Sequence, residues 1–128
     1  MTVYVCKDNF DSILCGVYDA WMSRQGHDNV RLELEGNRNL ELFCTYQTVE
    51  TIEEKAKKVV DAVIKKISRD AYELIYRASL SQREDRADAI YRFLIYGFHV
   101  GARVTDMLQI PAVFAMFEMQ RNLYYEEH

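Results

Sequence analysis

The spacing of apolar residues changes character near Thr51, and that change fixes what the chain can fold into. From Val30 to Glu35 the alternation is strict, with Val30, Leu32 and Leu34 on one side and Arg31, Glu33 and Glu35 on the other. Leu40, Leu42 and Cys44 repeat the alternation after Gly36-Asn37. A period of two places one face of a strand on a core, and a Gly-Asn pair supplies a tight turn, so the segment reads as a β-hairpin. Val3 to Cys6 is short and β-prone, and is expected to be the third strand of a small antiparallel sheet.

Beyond Thr51 the period is helical. Ile52, Ala56, Val59, Val60, Val63, Ile64 and Ile67 keep one apolar stripe, behind a Thr51-Ile52-Glu53-Glu54 sequence with the form of a capping box. Ser68 is placed to cap a second helix carrying Tyr72, Leu74, Ile75 and Leu80. Ser81-Gln82-Arg83-Glu84 looks like another capping box, opening a helix that is apolar almost all round from Ile90 to Val100 and so belongs at the centre. Gly101 suits its end and Pro111 the first position of a last helix. Ahead of the hairpin, Asp8 or Asn9 can cap a helix whose face is Ile13, Leu14, Val17, Tyr18, Trp21 and Met22. The expected fold is α+β and mostly helical: a small antiparallel sheet, an amino-terminal helix and about four further helices.

At 128 residues the chain is long enough for a single domain with one core, spanning residues 1–128. An apolar share of 49% with 28% charged residues is that of a folded globular protein. No apolar run approaches the roughly 20 residues that cross a bilayer, and the start MTVYVCKDNF lacks the build of a signal peptide, so the expected location is the cytoplasm, with no membrane partner. Cys6, Cys15 and Cys44 are odd in number and contain no C-x-x-C, which points to buried apolar residues rather than a disulfide or zinc site.

The net charge of -4 argues against a surface that grips nucleic acid everywhere. Locally, however, Lys55 to Arg103 holds eleven Lys or Arg against six Asp or Glu. Lys55, Lys58, Lys65, Lys66 and Arg69 fall largely on the polar side of one helix, and with Arg92 and Arg103 they are the candidate phosphate contacts. The bland alternative is a solvated ion-pair pattern, Glu54 to Lys58 and Asp61 to Lys65. Tyr72, Tyr76, Tyr91, Tyr96, Tyr124 and Tyr125, interleaved with Arg77, Arg92 and Arg121, can stack on unpaired bases, or can simply fill a core. His99 and Asp106 near the Gly97 to Gly101 turn, with Glu126 and His128 at the end, are the candidate acid-base residues. Their spacing matches no usual metal set, so neither a metal nor another cofactor is expected.

With these residues laid out, the chain resembles a bacterial DNA-metabolism protein family, a domain of unknown function linked to a radical S-adenosylmethionine protein. The resemblance runs through Asp8, Phe10 and Leu14 with VYDAW, through RLELEGNRNLELF, and through YRASLSQREDRADAIYRFLIYGFHVGARVTDML, where Gly97, Gly101, Arg103 and Asp106 are in register. Glu126-x-His128 matches the family's E-x-H. The chain departs at Ile110, where the family commonly places a capping Asn or Asp, and the resemblance leads one to expect a phenylalanine-rich and β-rich carboxy-terminal part that these residues do not include. The resemblance implies company with the radical S-adenosylmethionine protein and with a uracil-DNA glycosylase-like protein.

The expected role is an accessory module of a bacterial DNA repair or modification system, binding a partner protein and possible nucleic acid through the basic side. The alternatives are a nucleic-acid-processing enzyme completed by the missing part and a structural homodimerisation module. Val113, Phe114, Met116, Phe117, Met119, Leu123 and Tyr124 give the last helix more apolar surface than one stripe needs, so an apolar patch is expected there, covered by a second copy or left open and poorly ordered.

Overall fold

A computed structural model describes residues 1–36 and 40–126, and the side chains of residues 1–36 and 40–123. Strand β1 (Thr2–Cys6) leads into helix α1 (Phe10–Met22), which Asn9 caps, its Oδ1 accepting the Ser12 N–H at 2.8 Å. A 3₁₀ turn at His27–Asn29 then delivers strand β2 (Val30–Leu34). Strand β3 is Thr45–Thr48. The sheet order is β2-β1-β3, and both outer strands run parallel to β1, Thr2 lying opposite Val30 on one side and Thr45 on the other.

A mostly helical α+β fold with a small sheet is therefore present, but the sheet is parallel and the antiparallel hairpin is not formed. Two strands joined through a helix of α1's length can pair in parallel, which two strands joined by a tight turn cannot. Leu40 and Leu42 continue the alternating pattern only on paper, being 75% and 85% exposed in the connection before β3. Gly36 does turn the chain, with φ +94; Asn37 lies outside the described residues. One face of the sheet is covered by α1, at a distance that requires Gly16. A Cβ there would collide with the Cys6 sulfur and press on Leu32.

The helical part consists of α2 (Glu53–Lys66), α3 (Arg69–Ser79), α4 (Arg86–Val100) and α5 (Pro111–Glu126). Ser68 caps α3, accepting the Ala71 N–H at 3.0 Å. The two capping boxes do not form. In α2 the capping position is Ile52, whose own N–H donates to the Cys15 sulfur at 3.3 Å, so a buried thiol takes the part a box glutamate would play. Helix α4 starts five residues after Ser81, and in the intervening loop Arg83 pairs with Asp85; the buried Ser81 hydroxyl has no partner among the described residues.

Helix α4 is central, as its all-round apolarity requires. Ile90, Tyr91, Phe93 and Leu94 are all fully buried, each burial contributing about 1.5–3 kcal/mol. Gly97 lets it approach the end of α2, since an added Cβ would lie 2.6 Å from Ile67 Cδ1. Gly101 ends it at φ 80 and ψ -152, a region that glycine alone enters freely. Helix α5 opens on Pro111 and buries Val113, Met116 and Met119 against the core, leaving Phe114 half exposed. Phe117 also packs on that core, while the side chains of Tyr124 and Tyr125 lie outside the described residues.

Candidate functional site

Helices α1 and α2 lie side by side, and residues of both line a cavity of about 350 Å³. Val17, Tyr18, Trp21 and Met22 come from α1, Lys58, Val59, Ala62 and Lys66 from α2, and Phe98 from α4. Trp21 is held from behind by three rings, with Phe98 edge-on at 5.4 Å, His27 at 4.6 Å and Tyr91 at 6.1 Å between centroids. The wall is thus aromatic and pre-set, while two ammonium groups stand at the rim. A pocket of this size and lining takes a flat apolar group, and the amines add a preference for an attached anion.

The basic residues expected on this side separate into two kinds. Lys55 is committed internally: its Nζ bonds Asp19 Oδ1 at 2.9 Å and lies 5.4 Å from the centre of the Tyr18 ring. The hydrogen bond to Asp19 pushes its pKa up, and it does not line the cavity. Lys58, Lys65, Lys66 and Arg69 are exposed and make no ion pair among the described residues. The Glu54–Lys58 and Asp61–Lys65 pairs allowed by the sequence are not closed. About eight residues of helix separate Lys58 from Lys66, which is roughly 12 Å.

Arg92 is not part of this surface. Its guanidinium donates to the His27 carbonyl at 2.6 Å, to the Val30 carbonyl at 2.5 Å and to Asp88 at 3.2 Å, so it is spent on the sheet. Arg103 is exposed on the 3₁₀ turn Gly101–Asp106 and lines neither described cavity.

Of the four candidate acid-base residues, two have described side chains, and the side chain of Glu126 lies outside the described residues. His99 and Asp106 are exposed and line neither cavity. Glu126 ends α5, about 22 Å along that helix from Pro111, and His128 lies outside the described residues. Among the described residues there is no group of three His, Cys, Asp or Glu that could hold a metal ion. No helix among them is long and apolar enough to cross a membrane.

His27 was not singled out by its sequence, yet its Nδ1 and the Tyr91 hydroxyl share a hydrogen bond of 2.7 Å. Burial pushes the Tyr91 phenol up to about 12. Of the tyrosines, Tyr91 is core and Tyr72 packs on Phe10, whereas Tyr76 and Tyr96 are 44% and 42% exposed. Cys6 and Cys15 are buried and Cys44 is half-buried, none in a disulfide.

A second cavity, of about 580 Å³, runs between β2 and the start of α4. Its lining includes Glu33, Glu35, Glu84, Asp85 and Asp88 against Arg31 and Arg86, the opposite sign to the first. Compared with protein-family models, curated proteins and solved structures, the chain matches none.

Proposed function

We propose that this chain is a non-catalytic accessory module of a bacterial DNA repair or modification system, and that it holds single-stranded nucleic acid. One unpaired base would enter the cavity between α1 and α2, and the flanking phosphates would meet Lys58 and Lys66. The supporting observation is the coincidence at one place of an aromatic wall, Tyr18, Trp21 and Phe98, with two rim lysines that make no ion pair among the described residues. Stacking on an aromatic face is tolerant of sequence, and a few phosphate contacts give binding that is weak and set by salt. The partnership with a radical S-adenosylmethionine protein and a uracil-DNA glycosylase-like protein comes from the motif resemblance and is tested by co-purification.

The chain carries a single tryptophan, and it lines the cavity, which makes the test direct. Titration with single-stranded oligonucleotide should quench Trp21 fluorescence, with an affinity that falls as salt rises at a logarithmic slope of about -0.7 per phosphate engaged. Lys58→Ala with Lys66→Ala should weaken binding and flatten the slope while leaving thermal stability nearly unchanged. Binding without a fluorescence change, or unaffected by salt, would refute the reading.

A further inference from the structure

The two outer strands of the sheet end differently, and the difference exposes a surface that the nucleic-acid reading does not use. In β2 the alternate groups that face away from β1 belong to Val30, Leu32 and Leu34, because Glu35 N–H donates to Cys6 on the inner side. Two of these are taken by α4: the Leu32 N–H donates to Asp88 Oδ1 at 3.0 Å, and the Val30 carbonyl accepts from Arg92. The Asp88–Arg92 pair stands where a neighbouring strand would. In β3 the inner groups belong to Thr45 and Val49, whose N–H groups donate to Met1 and Val5. The outward N–H and C=O groups are therefore those of Tyr46 and Thr48, and among the described residues nothing bonds them.

This open edge is short, but its sequence does not guard it. From Leu42 to Val49 there is no proline and no charge. Just before it Leu40, Leu42 and Phe43 are 75%, 85% and 96% exposed, and Phe43 is held at φ 66, a conformation that costs a bulky residue about 1–2 kcal/mol. Charge selects the occupant. The stretch from Glu41 to Glu54 contains four glutamates and no lysine or arginine, and Glu50, Glu53 and Glu54 form no ion pair among the described residues. Pairing two copies edge to edge would bring these carboxylates together.

We infer that β3 is a docking edge for an extended, basic segment of a partner protein, which adds as a fourth strand. Main-chain bonds to Tyr46 and Thr48 would hold it, Leu42 and Phe43 would seat its apolar side chains, and the glutamates would pair with its lysines or arginines.

The test uses the full chain and a short peptide of alternating lysine and valine, with the alternating glutamate and valine peptide as counterpart. Amide hydrogen exchange at Tyr46 and Thr48 should slow by about tenfold or more with the lysine peptide, while Gln47, whose N–H faces β1, changes little. Thr48→Pro, which deletes one outward donor, should abolish the effect with an unaltered circular-dichroism spectrum, and Phe43→Ser should weaken it. The inference is overturned if the lysine peptide leaves both amides unchanged or the glutamate peptide slows them equally. It is also overturned if they slow without peptide as protein concentration rises, which would make a second copy the occupant.

Discussion

Strands β2 and β3 flank the same central strand in the same direction, yet one is closed by the protein and the other is not. Val30 and Leu32 are buried and one outward backbone group of each is bonded by α4, whereas Thr45, Gln47 and Thr48 are exposed and β3 leans on no helix to a comparable extent. The closed edge uses two charges at i, i+4 on a largely apolar helix, and these charges cost less than unbonded buried backbone would. An edge next to the core must be satisfied internally. One turned to water can be left for something else.

The most damaging way to break this contrast is to remove the seal. Arg92→Ala leaves two carbonyls without their donor and a half-buried Asp88 without its cation, and should cost about 2–3 kcal/mol, measured as a lower urea midpoint. Asp88→Asn should cost less, about 1 kcal/mol, because an amide oxygen still accepts the Leu32 N–H while only the charge attraction is lost. Equal effects from the two would mean that the pair, rather than the edge, is what matters.

Alkaline pH tests the packing beside the seal. Tyr91 lies under the Arg92 guanidinium, 5.2 Å from its ring centre, and is bonded to His27. Its phenol ionises at about 12 in the folded protein, against about 10 when unfolded. The folded state therefore holds the proton more firmly, so this contribution is complete below about pH 10 and is lost as pH rises through about 12. Denaturation followed across that window should show the parent losing stability relative to Tyr91→Phe. A constant difference between them would show that Tyr91 is not buried as described.

Much of this was legible in the residues. The caps at Asn9 and Ser68, the central α4 and the start of α5 at Pro111 follow from short-range rules that the structure obeys. Strand direction was not, because alternation specifies a face and not a partner. Leu40, Leu42 and Cys44 keep the beat of β2 without joining it. Asp88 and Arg92 offered a signal in their spacing, but only the tertiary arrangement shows them bonding a strand edge about 60 residues earlier in the chain. The cavity was equally hidden, since Trp21 and Phe98 belong to helices far apart in sequence and each reads separately as core. Lys58 and Lys66 were visible as cations, though not that the Glu54–Lys58 pair would stay open.

Thiol labelling distinguishes the two sides of the sheet without altering stability. Cys6 is buried at the end of β1, and burial pushes its thiol up to about 12, so little thiolate exists near neutral pH. Cys44 is partly exposed immediately before β3. A maleimide at pH 7 should add to Cys44 first, and to Cys6 and Cys15 only on unfolding, as read by mass spectrometry of the native and denatured protein. Slower labelling of Cys44 in the presence of the lysine and valine peptide would place that peptide at β3. Rapid labelling of Cys6 would mean that α1 does not stay on the sheet.

The smallest expected effect is the sharpest discriminator. Proline in a central strand removes a ladder bond, but on an edge strand with its N–H turned outward it removes none. Thr48 is exposed and its N–H faces away from β1, so Thr48→Pro should change the unfolding free energy by less than about 0.5 kcal/mol. Gln47→Pro, one residue earlier, deletes a donor to β1 and should cost about 3 kcal/mol or more. Urea denaturation of the two variants reads the strand residue by residue. If both are equally destabilising, the Thr48 N–H already has an internal partner, β3 is no more open than β2, and the asymmetry on which the docking edge rests disappears.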